Sequence, residues 1–528
     1  MPASPPFPVP IKPVNLEQQR KLAKDLIRAA RSGDPVALAR VKKVRDDAGA
    51  AAVRADAGAA AVRGDAEANA TSRPLTLADA QLAIARECGF PSWPKLVAEL
   101  QERDVKAFID VVRLGDLRRT QQLLTLEHVR RRINDPMFDF GQRAAHMAAK
   151  HEGMLATLIA AGADVNLKSD WENGPYAVLD HADDRSARFL MARGATLTAN
   201  VAARLGWFAE LQAMVGADAA LVHARGGDGQ QPLHEAKTVA IADFLLDHGA
   251  GIDARCIDHK STPAQYALAD RPDVCRRLLE RGATPDIFMA ARLGDVALAV
   301  RLLDGDPSCV GARINSPGYP LVPPSNIYCW SIGFGMSPYD VASKFGHDDV
   351  RDLFADRSPA RLRLIDAVMG VDEQAVSALV AADPSLISSL TADDHARLAQ
   401  AIFHEHFDAA ELMLRVGFKP AAPGVDGGSA LHAACWVGSV RMAQQLLARG
   451  GVALDDRDPA HRSTPLGWTA FGSVHRRAAG ADYPAVAALL VAAGADITAF
   501  GNGAGRTLIQ MADGNVAMQE ALRRLGAG

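Results

Sequence analysis

The 528-residue sequence holds fifteen histidines, and a few stand beside carboxylates in ways that suit proton transfer. Asp258-His259 lies in DHKSTP, and His475 precedes Asp482 and Tyr483 in GSVHRRAAGADYP. An imidazole near a carboxylate is the pairing that general acid/base catalysis uses at neutral pH. Asp258, His259, His475 and Asp482 are therefore the candidate catalytic groups if the chain is an enzyme. Aromatic side chains supply candidate binding walls: Tyr266 in STPAQYA, Tyr319, Tyr328 and Trp330 (with Phe334) in the proline-rich run 304–337, Trp436 after Ala434-Cys435, and Trp468 in STPLGW. Rings at exposed positions anchor partners or enclose apolar and cationic ligands. The competing expectation for each ring, Trp207 in RLGWF included, is that it packs beneath a neighbouring loop.

Other chemistry finds no support. There is no HExxH, CxxC, GxxxxGK or GxSxG pattern, so no metal and no cofactor is expected. His404 and His406 are two residues apart and would not share a helix face. GFGMS at 333–337 and GNGAG at 501–505 read as turns, lacking the flanking strand and helix start of a phosphate cradle. A net charge of −4 argues against nucleic acid. No apolar run reaches the ~18 residues of a membrane span, and the opening MPASPPFPVPIKP lacks a basic start followed by an apolar stretch. Six scattered cysteines read as reduced, mostly buried residues of a cytoplasmic protein. With 48% apolar but only 5% aromatic residues, the core must be built from Ala, Leu and Val, which favours close-packed helices.

The elements that position these residues follow from a repeated phrase. Leu-Leu-x-x-Gly-Ala or a close variant occurs as LIAAGAD around Gly162, FLMARGAT around Gly194, FLLDHGAG around Gly249, LLERGAT around Gly282, LLARGG around Gly450 and LLVAAGAD around Gly494. A second phrase precedes each apolar run: QPLHEA (231–236), STPAQYA (261–267), MSPYDVA (336–342), SALHAA (429–434) and STPLGW (463–468). A Ser or Thr hydroxyl caps a first helix, Pro suits its first turn, and paired alanines let helices approach. The Gly of the GA phrase ends a second helix in a left-handed cap.

These phrases resemble the T-P-L-H-x-A signature of ankyrin repeats, whose ~33-residue unit is a turn plus two antiparallel helices. The resemblance implies an all-α ankyrin-repeat solenoid of about twelve units over 101–528, several of them degenerate, ending in a capping unit at 506–528. It also implies that His146, His234 and His432 tie neighbouring turns together, and that His347, His406 and His248 are scaffold. Insertions at about 304–337 and 472–484 break the period and suit a binding edge. Before the array stand a Pro-rich tail (1–14) and an N-terminal helical region (15–100) that contains a low-complexity linker (44–74) with the tandem DAGAAAVRA and DAGAAAVRG. The segment ADAQLAIARECGFPSWPKL resembles one that precedes ankyrin repeats in bacterial proteins, and its Trp93 is expected to pack against the first repeat.

The function that follows is a cytoplasmic scaffold binding a protein partner in a concave groove. The alternative is an enzyme whose array encloses a small-molecule pocket, with the His and Asp groups near the two insertions as acid and base. Neither nucleic acid nor membrane is an expected partner.

Overall fold

The computed structural model describes residues 15–44, 74–315 and 325–528. The Pro-rich tail, nearly all of the low-complexity linker and Tyr319 lie outside the described residues. No β-strand occurs among the described residues, and no helix among them is long and apolar enough to cross a membrane. The chain divides into two compact units, Met1–Pro232 and Leu233–Gly528.

In the first unit, the helix Leu16–Arg31 begins at an Asn15 cap and Leu77–Glu87 begins at a Thr76–Asp79 capping box. Their buried faces, helical residues 35–44 and the start of the 21-residue helix Trp93–Arg113 meet in one apolar cluster that includes Leu26, Ile27, Val41, Ile84, Leu96 and Leu100. Trp93 packs against this N-terminal cluster, so the expected docking on the first repeat is corrected. The helix does not stop at position 100. Its second half buries Val105, Phe108, Val111 and Val112 and packs on Leu117–Leu124. Trp207 is buried, donates its indole N–H to Asp184 and carries Arg188 over its ring, which makes it a core plug.

The second unit repeats a helical hairpin. Its first helices include Pro263–Ala267, Ile287–Leu293, Pro338–Lys344, Ala360–Met369, Ala392–Phe403, Ala430–Trp436 and Pro465–His475, each followed by a second helix that packs against it. The Ser/Thr-Pro phrases act as expected. Thr262, Ser337 and Thr464 cap the three first helices that begin with proline, each accepting a backbone N–H three residues on. Second helices end as the GA phrase dictates: after Pro272–Glu280, Gly282 takes a φ of 100° and Ala283 N–H returns 2.9 Å to the Leu278 carbonyl. First helices pack side by side, Ala392–Phe403 on Ala430–Trp436 and that on Pro465–His475. Buried Leu446 and Leu490 on the second helices close the core; truncating either to Ala would cost about 2–5 kcal/mol.

Candidate functional site

The repeat histidines are structural. In the first unit His146 Nε2 lies 3.0 Å from the Tyr176 carbonyl. In the second, His432 Nδ1 accepts from Ser429 N–H at 3.1 Å while Nε2 reaches the Asp456 and Ser463 carbonyls at 3.1 and 3.2 Å. Burial holds the His146 and His432 imidazoles below their ordinary pKa, hence neutral and able to donate at one nitrogen and accept at the other. His347 reaches the Arg292 carbonyl at 2.9 Å in the same bracing role.

A cavity of about 810 Å³ lies where the first insertion meets the first helices of three successive hairpins, Pro338–Lys344, Ala360–Met369 and Ala392–Phe403. Its volume is within the range of ligand sites. Two charged side chains of opposite sign form part of its wall, and both are nearly inaccessible. Asp366, 6% exposed, accepts from Ser337 Oγ at 3.4 Å and faces Arg313 at 3.4 Å. Burial pushes its carboxyl up to about 7. Arg397 donates to the Gly335 carbonyl at 2.8 Å and stands 3.6 Å from Asp340, while its Nε has no hydrogen-bond partner among the described residues. Burial, then the neighbouring Arg313, pulls this guanidinium down to about 10. Buried charges of this kind are weak sources of stability, and perturbed groups gathered in a cavity are the usual mark of a functional site.

The insertion also carries an exposed indole next to Phe334, which lines the cavity. Trp330 is 67% exposed and meets Phe334 edge to face, ring centroids 5.3 Å apart. Phe334 in turn stacks on His404 at 6.1 Å, and burial holds that imidazole below its ordinary pKa. Lys344 is occupied, donating to the Ile332 carbonyl at 2.6 Å.

The other residues singled out by sequence fall differently. Tyr328 is wholly buried, with its hydroxyl donating to Asp286 at 2.9 Å and its ring against Phe288, so it is a core residue and no surface anchor. Trp468 is 6% exposed and its indole N–H goes to Asp458 at 2.9 Å. Tyr266 is half-buried, edge-on to His234, with its hydroxyl on the Cys256 sulfur. Trp436 is half-buried in a second cavity of about 220 Å³, together with Phe403, Trp468 and Phe471.

The four acid/base candidates line neither cavity. Asp258 and His259 approach each other at 3.4 Å, and His259 Nδ1 meets the Ser325 carbonyl at 2.9 Å. His475 stacks on Phe471 at 4.0 Å, and Asp482 caps the helix Tyr483–Ala492 through Ala485 N–H. The second insertion contributes no residue to either cavity. Asp366 and Arg397 escaped the sequence reading; the available signals were an acid inside the apolar run LIDAVM and an arginine in the alanine-rich stretch HARLAQAIF.

Residues 426–459, which contain the Ser429–His432 brace and the hairpin after it, match the family model of the ankyrin repeat. The chain carries ankyrin repeats. Among solved structures, the human ASB11 ankyrin repeat domain is similar over 57% of this chain and 99% of its own length, with 17% sequence identity and a TM-score of 0.23. No curated protein matches the sequence. The ankyrin turns explain the histidine braces, whereas the cavity with Asp366 and Arg397 lies outside the matched segment.

Proposed function

We propose that this ankyrin-repeat chain is a cytoplasmic scaffold that binds a protein partner along the first helices of Leu233–Gly528, with Trp330 and Phe334 as anchors. The observation that carries the reading is the exposed Trp330 packed on Phe334, which lines the 810 Å³ cavity. Tryptophan is enriched among interface hot spots, and exposed apolar rings mark interaction sites. The ankyrin fold lends a rigid frame, and five buried cysteines with no disulfide suit a reducing compartment. The test is capture from native cytosol on the full-length chain, wild type against Trp330→Ala and Phe334→Ala. A stoichiometric protein retained by wild type and lost with either variant, at unchanged circular dichroism, supports the scaffold. Identical captured proteins from all three would sink it.

A second reading, an enzyme or small-molecule binder, draws on Asp366, whose carboxyl at about 7 is poised for proton transfer in the same cavity. A metabolite retained by wild type and lost in Asp366→Asn would favour it.

A further inference from the structure

The second cavity, of about 220 Å³, carries a recognition chemistry of its own. Three rings stand in a row. Phe403 and Trp436 are parallel to within 4° at 6.0 Å between centroids, and Phe471 follows Trp436 at 6.2 Å with 29° between planes. Trp468 closes the recess, crossing Trp436 at 78° and 6.2 Å. The rings come from three adjacent first helices, Ala392–Phe403, Ala430–Trp436 and Pro465–His475, so the fold fixes their spacing.

Two polar groups that line the recess are already committed. The Trp468 indole N–H is held by Asp458 at 2.9 Å, and Ser463 Oγ donates to the Gly501 carbonyl at 2.6 Å. At the rim stands the half-exposed carboxylate of Asp426, 3.4 Å from His461. A recess walled by four aromatic rings with one carboxylate at its edge is complementary to an alkylammonium: the methylenes bury against the rings, and the positive head meets the acid. A guanidinium would want a second in-plane acceptor pair that the committed atoms do not supply. An anion would be repelled by Asp426, and a neutral apolar side chain would leave that carboxylate unused.

We propose that the Phe403–Trp436–Phe471 recess, with Asp426 at its rim, binds the ammonium of a lysine side chain, free or N-methylated, presented by the partner protein. The inference rests on the scaffold reading for its source of lysine, but its chemistry is testable without any partner. Calorimetric titration of the full-length chain with N-acetyl-lysine methylamide, its trimethylated form, the neutral norleucine analogue and choline separates the alternatives. The expected result is saturable binding of one or both lysine derivatives, with norleucine at least about tenfold weaker. Asp426→Asn, exposed and therefore harmless to folding, should weaken the cations several-fold and leave norleucine unchanged, and Phe471→Leu should weaken both lysine forms. Equal binding of norleucine would overturn the cation assignment, and choline binding more tightly than either lysine form would overturn the protein side chain as its source. Lysine binding without any captured partner would keep the recess and remove the scaffold, whereas a Trp330-dependent partner without lysine binding would do the reverse.

Discussion

Two stretches of the second unit, 429–449 and 337–403, share one architecture and bury opposite things. At 429–449 the first helix hides Ala433, Ala434 and Cys435, and its polar content is a single neutral histidine whose ring nitrogens are all bonded to the turn. At 337–403 the equivalent helices bury Asp366 and Arg397 against a cavity, and one guanidinium nitrogen is left without a partner. Satisfied neutral polar groups rigidify a repeat at little cost. Partly satisfied charges cost stability and are tolerated where something other than stability is gained. The regular stretch buries only satisfied groups; the irregular one holds the charged cavity.

The largest test of that contrast is Arg397→Met, which leaves Asp340 without its buried counter-charge while Asp366 keeps Arg313. It should lower unfolding free energy by about 3–5 kcal/mol in urea titrations, and a loss under about 1 kcal/mol would show that the charges are not coupled. Asp366→Asn should act in the opposite sense, and with pH. Because burial raises this carboxyl to about 7, above the ~3.9 of an unfolded aspartate, its contribution to stability is full below about pH 4 and is lost as pH rises through about 7. The uncharged variant therefore gains on wild type across that window, by up to about 4 kcal/mol at pH 8, and thermal melts from acid to mild alkali would read it.

In the regular stretch, His432→Ala should cost about 2 kcal/mol through orphaned buried carbonyls. The imidazole is held below its ordinary pKa, so its contribution is present above about pH 6.5 and fades as pH falls; a deficit that grows on acidification would contradict the bracing role. Smallest of all, Trp330→Ala at a 67% exposed position should change stability by less than about 0.5 kcal/mol. A larger loss in calorimetry would place the indole in the core and remove it as an anchor.

Sequence carried the frame well because the frame obeys local rules. Thr262, Ser337 and Thr464 announce helix starts, Gly282 announces a stop, and the histidine of SALHAA announces its brace. The site was less legible. Aromatic identity predicts a ring without its exposure: Trp330 and Tyr328, two residues apart on one short helix, end at 67% and 0% exposed. Asp366 and Arg397 are charged residues that a helical pattern assigns to solvent by default; only the packing of successive hairpins turns both inward. Convergence is a tertiary property, and the four acid/base candidates were grouped by chemistry alone.

The helix Trp93–Arg113 spends its first half in the N-terminal cluster and its second half against Leu117–Leu124. A continuous helical rod joining two sets of buried contacts leaves no hinge between them, so an expression boundary placed near residue 100 would sever both at once.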